Sequence, residues 1–238
     1  MKRPQWILLA LLLTACAGAR APQAVNSGVL VFGGTGRTGS LIVARLLARG
    51  EPVTVFARPN SDRARLAGLA VNFVVGDATN APDVDNAVAT ARPRVIINAI
   101  GGRGNQQGFW DRSQMAMTAA ARKHGVAKLV FLSSVGVGDS ARAYSAEALE
   151  RTREAHAERF RAEEDLKASG LDYLIIRTGI VAPERMRATH RAHLTQDRSV
   201  LGAVTREDLA QLTVDCIDDP ACRNQTFAAV DESLDLSR

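Results

Sequence analysis

The sequence predicts an α/β protein, a doubly wound parallel sheet in a single domain, on three observations. From Ser27 onward, short β-branched and aromatic runs alternate with longer helical stretches, as strands do when crossover helices separate them. The 238 residues are 46% hydrophobic and 23% charged, with a mean hydropathy of −0.05, an ordinary globular composition large enough for one core. A glycine-rich segment lies directly between the first strand and the first helix. 

The elements follow in order. Residues 29–32 make the first strand and residues 40–48 an amphipathic helix closed by Gly50. Residues 53–56 are the second strand, and Arg58-Pro59-Asn60 is a turn. Residues 73–75 form a third strand ending in Gly76-Asp77, and residues 95–98 a fourth that leads into the loop Gly101-Gly102-Arg103-Gly104. A helix over 110–123 stops at Gly125, and the fifth strand, 129–132, carries Ser133-Ser134 at its C-terminal end. A long charged helix spans 146–168 and ends at Gly170, before a sixth strand at 173–176. After a polar stretch rich in Arg and His, Thr205 caps a helix running to about Cys216, with Glu207 and Asp208 suited to its first turn. Residues 226–230 are the last strand, and no internal repeat or second domain is visible.

The N-terminus reads as a targeting segment. Met1-Lys2-Arg3 is a short cationic start, followed by an apolar run over 6–13 and then Thr14-Ala15-Cys16. That run is too short to span a bilayer, which takes about 20 apolar residues, but it suits the core of a secretory signal. Leu13-Thr14-Ala15-Cys16 also resembles the bacterial lipobox, whose cysteine is acylated and becomes N-terminal. Residues 1–15 are therefore expected to be a lipoprotein signal peptide, 16–27 a tether and 28–238 the folded domain. An ordinary cleaved signal with Cys16 incidental is the alternative. Ala17 in place of Asp favours the outer membrane by the same resemblance, which implies an envelope protein facing the periplasm and held to the membrane through Cys16.

The formal charge is +5, falling to +3 once Lys2 and Arg3 leave with the signal. Basic residues are scattered among acids, so no nucleic-acid footprint is read.

Chemistry concentrates at Gly33-Gly34-Thr35-Gly36-Arg37-Thr38-Gly39. Glycines at 33, 36 and 39 permit a tight turn and bring backbone N–H groups to a pyrophosphate at the helix N-terminus. The strand-loop-helix context makes this a Rossmann-type NAD(P)-binding loop. An acid would close the second strand if the ribose carried a free 2′-hydroxyl. Arg58 stands there instead, with Arg37 in the loop, and two guanidiniums suit a 2′-phosphate, favouring NADP(H) over NAD(H). The alternative for Arg58 is a solvated side chain after a strand. Lys2-Arg3 is not a twin-arginine pair, so export is expected with the chain unfolded and a dinucleotide would be met outside the cytoplasm.

With these residues in view, the chain resembles the atypical short-chain dehydrogenase/reductase superfamily, in particular its flavin/biliverdin-reductase-like and NmrA-like members. The likeness runs from Gly28 to Asp231 and rests on the glycine loop, Gly76-Asp77, Asn98-Ala99-Ile100-Gly101 and Leu132-Ser133-Ser134-Val135-Gly136. It continues through Ala162-Glu163-Glu164-Asp165-Leu166, Ser169-Gly170-Leu171-Asp172-Tyr173, Arg177-Thr178-Gly179 and Thr205-Arg206-Glu207-Asp208-Leu209-Ala210. The resemblance implies that Asp77 contacts adenine, that Asn98, Ala99, Ile100 and Gly101 line the cofactor, and that Ser133 and Ser134 border the nicotinamide.

The departures from that family bear on catalysis. Its oxidoreductases place Tyr and Lys four residues apart on the long helix; here those positions fall on Ala155 and Arg159, and Thr178 replaces the usual proline. Arg159 can hydrogen-bond ribose hydroxyls but does not transfer protons; a surface salt bridge is its other reading. The remaining candidate acids are Ser133, Ser134, Tyr144 and His156, and relatives that draw the proton from solvent make an acid dispensable. Cys216 and Cys222 are either bridged, as an oxidising compartment permits, or free thiols. The histidines lack metal-site spacing, and no metal is expected. The expected function is NADP(H)-dependent reduction of a small flat acceptor such as a flavin or quinone; the alternatives are a non-catalytic NmrA-like dinucleotide sensor and an envelope interaction protein.

Overall fold

In β1 (Val29–Phe32) every residue is buried, but not in the same core: Val29 and Val31 face one apolar cluster, Leu30 and Phe32 another. Side chains alternate across a strand, so a strand apolar at every position needs helices on both faces. The structure, a computed structural model, describes residues 26–101 and 107–236. Cys16, the signal and most of the tether lie outside the described residues, as do Gly102, Arg103 and Gly104 of the loop after the fourth strand.

The chain then runs α1 (Arg37–Ala48), β2 (Val53–Ala57), β3 (Asn72–Val75), α2 (Ala81–Ala91), β4 (Val95–Asn98) and α3 (Phe109–Lys123). It continues through β5 (Lys128–Ser134), α4 (Ala146–Ala168), β6 (Asp172–Thr178), β7 (Ile180–Val181), β8 (His193–Thr195), β9 (Ala203–Val204), α5 (Arg206–Asp215) and β10 (Gln225–Val230). Eight strands lie in the order β3-β2-β1-β4-β5-β6-β10-β8, all parallel neighbours except the β10–β8 pair. β7 and β9 form a separate two-stranded ribbon. α1 and α5 cover one face, and α2, α3 and α4 the other.

This is the doubly wound Rossmann-type sheet the sequence predicts, to which the structure adds the β7–β9 ribbon, α2 and β8. α2 starts on Asn80, whose side chain accepts from the Asp83 amide, with Pro82 in the first turn. β8 lies within the polar stretch rich in Arg and His and pairs antiparallel with β10, so the sheet is mostly rather than wholly parallel. Cys216 and Cys222 are joined, with Cα atoms 5.5 Å apart, which decides between the two readings of that pair. The bridge links the end of α5 to the approach of β10, and buried Lys128 donates to the Cys216 and Ile217 carbonyls at 3.1 and 2.6 Å.

Candidate functional site

Neighbouring strands β1 and β4 send their chains to opposite faces of the sheet, so a crevice opens above their C-terminal ends. Two cavities of about 320 and 300 Å³ occupy it, and Gly36, Arg37, Ile100 and Gly101 line both. The outer lobe adds Arg58, Ser61, Asp77 and Phe109; the inner lobe adds Trp110, Ser133, Ser134, Arg159, Thr178 and Arg206.

The wall between the lobes is glycine backbone for steric reasons. Gly33 has φ +77°, and a Cβ on it would stand 2.6 Å from the Ala99 carbonyl oxygen. A Cβ on Gly39 would stand 2.1 Å from the Gly33 oxygen, so residue 39 lets α1 sit against the loop. At Gly36 the nearest atom is the Gly33 oxygen at 3.1 Å, with nothing else within 4 Å. α1 begins there without a side-chain cap and without an acid in its first turn. Its first amides lack intrahelical partners, and together with the helix dipole they favour an anion at that point. The donor set and the room at Gly36 therefore fit a dinucleotide pyrophosphate.

The residues expected from the sequence are distributed unevenly. Arg37 and Arg58 form no ion pair among the described residues; Gly34 and Thr35 belong to the turn, Gly34 packing on Val55, and Thr38 to the first turn of α1. Asp77 lies in the outer lobe and turns one oxygen to the Thr79 amide and hydroxyl, each at 2.9 Å. Asn98 is buried and does not line the cleft; it donates to Gln114 at 2.8 Å and accepts from the Ile100 amide at 3.1 Å. It thereby shapes the Ala99-Ile100-Gly101 segment that does.

Ser133 and Ser134 border the inner lobe, but both hydroxyls donate away from it. Ser133 Oγ donates to the fully buried Glu163 at 2.6 Å, and Ser134 Oγ to the Val135 carbonyl at 2.9 Å. Glu163 also accepts from Arg177 Nε at 3.1 Å and Nη2 at 2.6 Å; Arg177 extends to Asp139, which Arg198 joins at 3.2 Å. Despite its burial, Arg177 is held above the usual guanidinium range by these carboxylates. A carboxylate and a carbonyl only accept, so both serine protons are committed and the lone pairs are what remains for a ligand.

His156 and Tyr144 are brought together, with ring centroids 5.6 Å apart, but neither lines the cleft. His156 fills the space beneath Gly136 and shares a hydrogen bond with Thr152 at 3.1 Å. Burial, then the nearby Arg159, lowers its pKa, so the ring is neutral. Arg159 makes no salt bridge among the described residues; its guanidinium lies 3.6 Å from the Trp110 ring centroid. Trp110 and Glu158 carry no sequence signal for a site. The amides of Gly108 and Trp110 donate to Glu158 at 2.5 and 3.1 Å, so this buried carboxylate of α4 caps α3 and holds Trp110 in place.

The family model described as NAD(P)H-binding matches residues 33–220. The solved structure of ChuY, an anaerobillin reductase from Escherichia coli O157:H7, superposes with a TM-score of 0.76 at 28% identity, covering 87% of this chain and 98% of that one. A wide-type short-chain dehydrogenase/reductase from Veillonella parvula, solved with NADP, shares the fold at a TM-score of 0.66 and 15% identity, over 86% and 94% of the two chains. In sequence, sterol demethylase protein B of Methylococcus capsulatus is 35% identical over 112 residues, 45% of this chain and 34% of that protein. The chain spans about a third of the length of the curated relatives it matches.

Proposed function

The chain belongs to the NAD(P)H-binding family, and from that premise we propose that it is an NADP(H)-dependent reductase of a small flat acceptor, held at the bacterial envelope. The observation that carries this reading is the two-lobed cleft with a shared glycine wall. One lobe suits an adenosine carrying a 2′-phosphate, and the other is floored by Trp110 and edged by hydroxyl oxygens. The likeness to an anaerobillin reductase along nearly that protein's whole length supports a flat acceptor.

The amides at the start of α1 bind the pyrophosphate, and Arg58 with Arg37 takes the 2′-phosphate. A nicotinamide dinucleotide supplies hydride when bound. The committed protons of Ser133 and Ser134, the position of His156 outside the cleft and the permanent charge of Arg159 leave no side-chain acid among the described residues of the inner lobe. The acceptor then takes its proton from water. Dialysis of the purified protein against NADPH, read by absorbance, should show retained dinucleotide, and flavin or quinone should then accelerate its oxidation. No retention would overturn the reading. Retention without turnover above background would favour the sensor alternative, which the vacant Tyr and Lys positions at Ala155 and Arg159 support.

The envelope location rests on the Leu13-Thr14-Ala15-Cys16 segment, and the Cys216–Cys222 bridge supports it because such bonds persist in oxidising compartments. Cys16→Ser should move the protein from the membrane to the soluble fraction; unchanged fractionation would defeat the anchor.

A further inference from the structure

Arg159 is a half-buried cation in the inner lobe without a carboxylate partner. Every Asp and Glu of the chain falls within the described residues, and none forms an ion pair with it. The two nearest acids on its own helix are engaged elsewhere: Glu158 accepts from the Gly108 and Trp110 amides, Glu163 from Ser133 and Arg177. Among the described residues its one hydrogen bond runs to the Ala155 carbonyl, one turn back on α4, at 3.3 Å. A guanidinium has five N–H donors, so most of its edge is uncommitted while its face is fixed on the Trp110 indole.

Burial lowers the Arg159 pKa to about 10, against the pull of Glu158 and Glu163. The side chain nevertheless stays charged at neutral pH. A desolvated charge without a counter-ion is costly, and a ligand that brings the opposite charge removes that cost. The pyrophosphate has its own donors across the cleft, at the start of α1 beside Arg37. Arg206, the other inner-lobe arginine, donates to the Ala182 carbonyl and feels Arg37 and Arg65, which places it on the phosphate side. Arg159 stands instead with Trp110 and Ser133, where the acceptor would lie.

We propose that Arg159, laid on Trp110, binds an anionic group of the acceptor, so that the substrate class is a planar conjugated ring system bearing a carboxylate or phosphate. The proposal rests on the reductase reading and gives its acceptor a chemical identity. A guanidinium fork pairs bidentately with either anion; the ring would share the lobe with the indole. The competing role is a hydrogen bond to cofactor ribose hydroxyls.

Trp110 is itself the reporter, because the only other tryptophan is Trp6. The full chain carrying Trp6→Phe is saturated with NADP⁺, whose oxidised ring prevents turnover, and quenching of Trp110 is followed on adding planar probes. FMN is compared with riboflavin for phosphate, and biliverdin with its dimethyl ester for carboxylate. In at least one pair the anionic member should bind about tenfold or more tightly, the worth of one charge-assisted contact. Arg159→Gln should erase that preference while leaving NADP⁺ affinity unchanged, and Arg159→Lys should restore part of it. Equal affinity within both pairs would overturn the proposal. So would an Arg159→Gln variant that loses NADP⁺ affinity but keeps the anion preference, the signature of a ribose contact. If all four probes fail to bind protein that holds NADP⁺, the acceptor proposal falls and dinucleotide binding stands. If NADP⁺ itself does not bind, the reductase reading falls with it.

Discussion

Around Gly36 the cleft wall is main chain: a turn with no room for side chains at residues 33 and 39, a helix end without a cap, and arginines standing unpaired beside it. Across the same cleft, around Ser133, the wall is side chains. There a serine is held by a buried glutamate, that glutamate by an arginine, and a tryptophan by a second buried glutamate. The first half is built mainly from the consecutive residues 33–39, seated against Ala99, and the second from contacts between elements 14 to 50 positions apart. A main-chain site can be damaged by adding one carbon, whereas a networked site is damaged by removing a partner. The two halves should therefore respond differently to substitution.

The largest effect is expected at the glycine wall. In Gly36→Val the new Cβ stands 3.1 Å from the Gly33 carbonyl oxygen, a tight contact that a small backbone shift relieves, and the side chain occupies the space left for phosphate. NADP(H) affinity should fall by on the order of a hundredfold or more, with an unchanged circular dichroism spectrum and only a small drop in Tm, because Val is a poorer start for α1 than Gly. Gly39→Val puts a Cβ 2.1 Å from the Gly33 oxygen and should lower Tm as well. A Gly36→Val protein that binds normally would break the comparison, since the loop would then not be a phosphate cradle.

An intermediate effect is expected at the strand end beside that wall. Arg58→Ala should cost NADP(H) about 1.5–3 kcal/mol, a tenfold to hundredfold loss measured by calorimetry, and change NAD(H) binding little. Equal weakening of both cofactors would show that Arg58 does not read the 2′-phosphate.

The smallest effect is expected behind the networked wall, where His156 and Tyr144 face each other away from the cleft. His156→Gln and Tyr144→Phe should each lower turnover less than about tenfold, below the ~10²–10⁴ that loss of a general acid costs. His156 acts on stability instead. Its folded pKa is depressed, so as pH falls from near 6.5 the unfolded chain takes up the proton first and stability declines. Tm should drop between pH 7 and 5 more steeply in the wild type than in His156→Gln. A hundredfold loss of turnover in either variant, with cofactor affinity intact, would identify the missing acid.

The same contrast explains what the sequence disclosed. The strands over 29–32, 53–56, 95–98 and 129–132 announce themselves by composition, and the glycine loop by spacing, because each is decided by neighbours in the chain. α2 is not among the elements read from the sequence although its signals are there, a start at Asn80 and Val84, Ala87 and Val88 along one helix face, in a helix of only 11 residues. β8 has three residues and exists because β10 offers it an edge more than 30 positions later. Arg159 is reached by counting back from Glu163, but its stacking on Trp110, across two helices, has no linear trace. The committed serine protons likewise depend on Glu163 arriving from α4.

The bond between Cys216 and Cys222 closes a loop of only six positions, so it removes little freedom from the unfolded chain, about 2 kcal/mol by loop-closure entropy. Against the 5–15 kcal/mol that hold a typical domain, this is a staple on a segment that Lys128 and the surrounding core already seat. A chain made where thiols stay reduced should therefore reach the same fold, with a modestly lower melting point, and gain the remainder on oxidation. Because both half-cystines lie within the last quarter of the sequence, a chain threading outward from its N-terminus completes this bond only after nearly all of the sheet has emerged.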